Sequence, residues 1–278
     1  MLSDSDHSDD SPCAKPGFHA SWFAERFDQL LGEHMSVSQA AVSKPKSAEM
    51  HPGPGFRVRR WAEGPPEGAI ETLSRFETPN ISDLMNRLYT MTSAIHGLTD
   101  PSLKILGPAC TVKVYPGDNL MVHKSLDIAK PGDVVVVDAG HASNTAVLGD
   151  LISTKARHRG IAGFVVDGLI RDLPHIQALG DFPVFARGVT PIGPLHRGPG
   201  EINHAVSCGG IVVNPGDIIV GDLNGVVVVP RGIAEDLIAR LEAREAAESD
   251  YTAAVARGNF SNDWVDQLLS ANGVSIED

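Results

Sequence analysis

Four consecutive valines at 134–137, and a second run reading GVVVV at 225–229, most constrain what this 278-residue chain can fold into. An unbroken β-branched run cannot alternate between a core face and a wet face, so a strand made from it must be covered on both sides. Both runs are far shorter than the roughly 20 apolar residues a membrane-spanning helix needs. They predict buried strands. Further strands are expected at 110–115, 161–167, 183–186, 211–213 and 218–220, with the valine runs forming strands at 134–139 and 226–229. Helical stretches at 119–129, 147–159 and 172–179 fall between several of them, which is the alternation of an α/β core.

Order is expected to begin near Glu71. Thr78 reads as a helix N-cap with Pro79 at the first helical position, and Ile81, Leu84, Met85 and Leu88 then share one face. Residues 1–66 mix Ser, Asp, His and Pro with little periodicity and read as a weakly ordered extension, except that Trp22, Phe23, Phe27, Leu30 and Leu31 can line a short helix. Residues 233–257 predict a surface helix with Leu237 and Leu241 on its apolar stripe. A second helix is expected around Trp264, Val265, Leu268 and Leu269, whose simplest use is a subunit contact. The division is thus an extension at 1–66, an α/β domain at 67–230 and a helical extension at 231–278.

The formal net charge of -12 repels a phosphate backbone, and no basic stripe offsets it, so nucleic acid is not an expected partner. An acidic chain can still bind a small acid where a cation and an arginine reverse the field locally. Cys13, Cys110 and Cys208 are too far apart for a zinc knuckle or a redox pair, and the start of the chain has no basic or apolar leader pattern; a reducing cytoplasm is the expected location, with no membrane partner.

Pro-Gly-Asp recurs at Pro116, Pro131 and Pro215. Turn chemistry accounts for the latter two, whereas the first opens a helix where backbone amides and a carboxylate could face a cleft. The richest segment is Leu148-Gly149-Asp150-Leu151-Ile152, followed at helical length by a buried strand and Asp167-Gly168-Leu169-Ile170-Arg171-Asp172. Ligands of α/β sheets bind beyond the carboxyl ends of strands, where both polar clusters can converge. The Gly149 turn would offer backbone N–H groups of Asp150, Leu151 and Ile152 to a carboxylate, and Arg171 could clamp the same carboxylate through two bonds. Asp172 is a hard oxygen ligand of the kind Mg²⁺ or Mn²⁺ accepts singly. The same residues have a purely structural use: Asp172 as a helix cap, Asp167 in a turn with Gly168, Arg171 in a surface ion pair.

From Thr78-Pro79-Asn80-Ile81-Ser82-Asp83, through Pro116-Gly117-Asp118-Asn119-Leu120, Pro131-Gly132-Asp133-Val134 and the 149–172 block, to Val229-Pro230, the chain resembles the RraA-like family. That family contains class II 4-hydroxy-4-methyl-2-oxoglutarate/4-carboxy-4-hydroxy-2-oxoadipate aldolases and regulators of ribonuclease E activity. The resemblance implies a swivelling β/β/α core similar to the phosphohistidine domain, assembled as a homotrimer or a pair of trimers. It implies that Gly149, Asp150, Leu151 and Ile152 hold a pyruvyl group, that Arg171 binds substrate and that Asp172 binds a divalent cation. The implied reaction cleaves a 4-hydroxy-2-oxo acid to pyruvate and a second oxo acid, with Asp150 or the cation holding the water that takes the C4 hydroxyl proton. Oxaloacetate decarboxylation, which needs the same enolate, is the implied side activity.

His123, His196 and His204 fall near the same segments, and Glu201 sits in a loop that could reach a neighbouring subunit, although all four have ordinary structural readings. Lys155 lies one turn beyond Leu151, where a solvent-facing lysine is the commoner outcome. A binding protein that masks a ribonuclease without turnover is the alternative from another class. A methyltransferase would need a glycine-rich loop after the first strand, and Pro116-Gly117-Asp118 supplies none.

Overall fold

The computed structural model describes residues 53–141, 144–275 and 277. The short helix expected around Trp22 and Phe27, and Cys13, lie outside the described residues. In chain order the first half runs β1 (Phe56–Val58), α1 (Ala69–Leu73), α2 (Thr78–Leu84), β2 (His96–Gly97), β3 (Ile105–Val114), α3 (Leu120–Ser125), β4 (Val134–Asp138) and β5 (Ala146–Leu148). The second half runs α4 (Asp150–His158), β6 (Gly163–Ile170), α5 (Leu173–Gln177), β7 (Val184–Val189), β8 (Gly200–Ile202), β9 (Val206–Cys208), β10 (Ile211–Val213), β11 (Ile218–Asp222), β12 (Gly225–Val229), α6 (Ala234–Ala256) and α7 (Asp263–Ala271).

The four valines decide the architecture. Val134, Val135, Val136 and Val137 are all fully buried, because β4 lies between two parallel neighbours, β3 and β6, and is covered on both faces. Val135 and Val137 point into a core shared with Val166, Met121, Ile152 and Ile176, so one face of the sheet is packed by α3, α4 and α5. Val134 and Val136 point the other way, into a core with Val206, Val213, Ile219 and Val228 from the later strands. A third core joins Ile218, Val220 and Val229 to α1, α2 and the stripe Leu237 and Leu241 of α6. Strand on strand on one side and helix on strand on the other is the expected β/β/α layering, with the helical extension behind it.

Several local expectations shift for identifiable reasons. The helix expected from 147 starts only at Asp150, because Ala146 and Leu148 pair in parallel with Leu169 and Ile170 as β5. Asp167 is not in a turn. It lies inside β6, fully buried, and accepts hydrogen bonds from the Arg187 guanidinium and from Gly209 N–H at 2.7 Å. The register between β6 and β7 slips between Val166 and Leu169, and such a bulge re-aims the residues that follow. Thr78 is the first residue of α2 rather than its cap; the capping carboxylate is Asp222, which accepts from Thr78 N–H at 2.9 Å and from its hydroxyl at 2.7 Å. Burial alone would raise the Asp222 pKa, but these bonds and those from Asn224 outweigh it and hold the group below the usual carboxylate value. Cys110 and Cys208 are buried free thiols, and burial pushes Cys110 up to about 12, which makes both structural apolar groups.

Order also begins earlier than Glu71. Phe56–Val58 adds as a parallel strand to Gly200–Ile202, and the Arg57 guanidinium grips Glu201 through Nε at 2.8 Å and Nη2 at 3.0 Å. The Glu201 carboxylate also accepts from Gly55 N–H at 2.8 Å. It therefore serves to dock β1 within its own chain. Arg57 and then the Gly55 amide lower the Glu201 pKa to about 2 against the opposing effect of burial. A folded-state pKa depressed in this way means the contribution is complete above the ordinary carboxylate range and is lost as pH falls toward that value. Amide protection factors, exchange corrected for its intrinsic pH dependence, are expected to fall at residues 55–59 on acidification from about pH 5 toward 2 more than in the rest of the sheet. Glu201→Gln is expected to show the reduced protection already at neutral pH; equal protection in variant and wild type would contradict this.

Candidate active site at the carboxyl ends of the parallel strands

Strands β5 and β6 run in parallel and end together, where Arg171 N–H donates to the Leu148 carbonyl at 3.0 Å. That bond sets the two polar clusters side by side. On one, Gly149 caps α4 and Asp150 is its first residue. N–H groups in a first helical turn have no acceptor within the helix. Leu151 N–H is taken by Asp150 Oδ1 at 2.7 Å, which leaves the Asp150 and Ile152 amides as the open donors. On the other, Asp172 adopts a left-handed backbone, φ 57 and ψ 32, ahead of α5. Its side chain makes no capping hydrogen bond, so the carboxylate is not spent on the helix. Arg171 Nε lies 3.2 Å from Asp172 Oδ2.

The approach is close enough that a larger residue would displace the site's side chains. A Cβ added at Gly149 would lie 2.4 Å from Asp172 Oδ2 and 3.0 Å from Arg171 Cγ, and one added at Gly193 would lie 2.7 Å from Arg171 Nη1. Glycine at 149 is favoured by this contact, since a Cβ there would displace the Asp172 carboxylate, and not by its dihedrals, which are extended.

The two clusters line one cavity of about 270 Å³, and all six residues expected to form the site, Gly149, Asp150, Leu151, Ile152, Arg171 and Asp172, face it. Asn119, His123, Pro194 and His196 also line it. In the sequence His196 is one histidine among eleven, and Asn119 is only part of a helix opening. No periodicity marks them, because the 194–196 segment reaches the site through tertiary contacts: Asn119 N–H donates to Leu195 O at 3.0 Å, and Leu195 N–H to Gly117 O at 2.8 Å. Asp118, the aspartate of the first Pro-Gly-Asp, does not face the cleft but braces it, accepting from Leu120 N–H at 2.8 Å and Arg197 N–H at 2.5 Å. The other two copies close local turns, Asp133 on Lys130 N–H and Asp217 on Asn214 N–H. His204 is elsewhere, near Arg57 and Glu201, and Lys155 is exposed.

Burial, then His196 and Lys155, push the His123 pKa down. Asp150 Oδ2 faces His175 Nδ1 at 3.7 Å at the mouth. Among the described residues, no group of three or more His, Cys, Asp or Glu converges as a metal nest. A larger groove of about 900 Å³ runs along α6, but Arg75 crosses it to Glu242 and Glu245, and none of the six residues lines it. No helix among the described residues is long and apolar enough to cross a membrane.

A protein of Halalkalibacterium halodurans, which carries the provisional name 4-hydroxy-4-methyl-2-oxoglutarate aldolase, is 43% identical over 199 residues, covering 68% of this chain and 94% of that protein. A solved structure from Streptomyces coelicolor, described as an unusual member of the RNase ES inhibitor RraA protein family, is 30% identical with a TM-score of 0.62, covering 69% of this chain and 99% of that one. An uncharacterised protein from Pseudomonas syringae pv. tomato superposes with a TM-score of 0.64 at 25% identity, covering 72% and 97% of the two chains. The family model described as RraA-like, Aldolase/RraA, matches residues 78–228, which hold the whole cavity, and the chain belongs to that family.

Proposed function

We propose that the protein is a divalent-metal-dependent lyase that cleaves a 4-hydroxy-2-oxo acid to pyruvate and a second oxo acid. One observation carries the reading: an Asp172 carboxylate that caps no helix, the Arg171 guanidinium beside it and the open amides of α4 meet in one small cavity. The name of the Halalkalibacterium relative supports the same chemistry.

The residues fit a hard cation. Mg²⁺ and Mn²⁺ take one or two protein carboxylates and keep several waters, and Asp172 supplies one such oxygen beside the gap that Gly149 leaves. Asp172 would hold the ion, which when bound supplies a Lewis acid for the charge that develops on the 2-oxo group. Arg171 is a fork that matches a carboxylate through two parallel bonds, and the Asp150 and Ile152 amides add a helix N-terminus to the same anion. Asp150, with one oxygen fixed by Leu151 N–H, keeps the other for a water that takes the proton of the C4 hydroxyl. The C3–C4 bond then breaks, its electron pair passes into the enolate of pyruvate, and the second oxo acid leaves from the C4 side. Protonation at C3 completes the balance. Oxaloacetate would yield the same enolate by loss of CO₂, with no hydroxyl to deprotonate.

The likeness to the Streptomyces protein, described as belonging to a family of ribonuclease inhibitors, favours a second reading, a regulator that binds a ribonuclease without turnover. A pyruvate-release assay on 4-hydroxy-2-oxo acids and oxaloacetate, with added Mg²⁺ or with EDTA, separates the two. The lyase reading expects release that EDTA abolishes and that Asp172→Ala reduces at least about a hundredfold. Ribonuclease inhibition that survives Asp172→Ala, with no pyruvate released, would replace it.

Two substitutions test the assigned roles. Asp150→Asn keeps the backbone amide and removes the charge, so kcat for the 4-hydroxy acid is expected to fall about a hundredfold or more with KM nearly unchanged. Oxaloacetate decarboxylation should suffer much less; equal losses would make Asp150 a shaping residue. Gly149→Ala drives its Cβ against the end of the Asp172 side chain, which can swing away at modest cost. Gly163→Ala instead meets the Pro183 backbone carbonyl at 2.5 Å from a left-handed position, φ 153. Thermal denaturation is expected to show the larger loss, several degrees, for Gly163→Ala, while Gly149→Ala loses metal-dependent turnover with the smaller change in Tm.

A further inference from the structure

Residues 59–64 run beside the turn that opens β4, at the end of the sheet opposite Gly149 and Arg171, and the segment is pinned at both ends. At one end Arg59 N–H donates to the Ile202 carbonyl at 3.1 Å, and Asn203 Nδ2 donates to the Arg59 carbonyl at 3.0 Å. At the other, Arg231 Nη2 holds Glu63 Oε2 at 2.7 Å, and the Glu63 carbonyl lies so close to Gly216 that a Cβ there would collide with it. Against this segment lies a cavity of about 420 Å³, within the size range of small-molecule sites, lined by Arg60, Trp61, Ile128, Lys130, Asp133 and Asn203 among others.

Asn203 is the unusual member. It is 5% exposed with a left-handed backbone, φ 55, and its N–H and Nδ2 both find carbonyls, those of Thr111 at 2.8 Å and of Arg59. Its Oδ1 has no partner, and among the described residues it is the one buried side-chain nitrogen or oxygen of which that is true. A desolvated acceptor is costly to leave unmade, so an orphan on a cavity lining points to a donor from outside the chain.

Both signs of charge are open around it. Asp133 spends Oδ2 on Lys130 N–H at 2.8 Å and leaves Oδ1 without a hydrogen bond, while Arg60 and Lys130 form no ion pair among the described residues. Burial raises the Asp133 pKa, a shift that an ammonium arriving beside it would reverse. Trp61, 63% exposed, and the half-buried Ile128 add apolar surface. A simple anion would meet Asp133, and a simple cation would meet Arg60 and Lys130, each with repulsion. A ligand that carries both charges has a partner for each.

We propose that this cavity is a second binding site, separate from the cleft at Gly149, for a free α-amino acid with an apolar side chain. Its carboxylate pairs with Arg60 and Lys130, its ammonium donates to Asn203 Oδ1 and Asp133 Oδ1, and its side chain packs on Trp61 and Ile128. The inference stands apart from the lyase reading.

Phenylalanine, 3-phenylpropanoate and 2-phenylethylamine share one ring and differ in the charges they carry, and each is titrated calorimetrically into the full chain. Phenylalanine is expected to bind about tenfold or more tighter than either analogue. Arg60→Gln should weaken phenylalanine and 3-phenylpropanoate about tenfold and leave 2-phenylethylamine within about threefold. Asp133→Asn, which keeps an acceptor for the Lys130 amide, should weaken phenylalanine and 2-phenylethylamine and spare 3-phenylpropanoate. Trp61→Phe should keep the heat of binding and lose the change in tryptophan emission that phenylalanine causes in wild type. Arg171→Gln should leave phenylalanine binding within about threefold, since the Gly149 cleft is elsewhere. No binding of phenylalanine would mean that Asn203 Oδ1 is served by water alone and would overturn the proposal. Equal affinity for the three ligands, affinity indifferent to both Arg60→Gln and Asp133→Asn, an emission change that survives Trp61→Phe, or loss of binding in Arg171→Gln would overturn it equally.

Discussion

A single backbone hydrogen bond, from Arg171 N–H to the Leu148 carbonyl, is the point on which the site depends. It ends two parallel strands at the same level, so that a helix start and a left-handed aspartate emerge side by side. Neither cluster would be a site alone. A helix N-terminus attracts many anions, and an Arg-Asp pair on a surface is worth little. Brought within a glycine's width of each other, they line one small cavity. The contact also explains why the valine core matters to chemistry: β4 and its neighbours fix the strand ends, and a shift of an ångström there would open the gap at Gly149.

The electrostatics follow from the same arrangement. A chain with net charge -12 repels anions at long range, so attraction must be local. The structure spends most of its buried carboxylates on internal donors, Glu201 on Arg57, Asp222 on Thr78 and Asp167 on Arg187. Asp172 makes no such bond to a neighbouring element and meets only the Arg171 beside it in sequence. That difference in commitment, more than residue type, sets Asp172 apart from the carboxylates that brace the fold.

Much of this is legible in the sequence because it is written locally. A both-faces-buried strand needs an unbroken valine run, and a helix start beside a strand end needs Gly149-Asp150 followed by apolar residues. Arg171 and Asp172 are recognisable through their distance from that turn. What cannot be read is carried by pairings remote in sequence. Asp222 caps a helix 144 residues away, Glu201 recruits Arg57 across a similar distance, and Asn119 sets His196 from 77 residues off. The bulge after Val166 likewise has no local signature, since the Asp167-Gly168 pair that reads as a turn is held in a strand by Arg187 and Gly209.

The left-handed backbone at Asp172 has an implication for anyone seeking a hardier version of this protein. A non-glycine residue in that region carries strain of roughly 1 kcal/mol or more, which glycine escapes and asparagine tolerates well. A library sorted only for resistance to heat would therefore drift toward those residues at position 172 and discard the carboxylate. Robustness and the proposed reactivity draw on the same torsion angle, and a stabilised descendant of this chain would have to find its gains elsewhere.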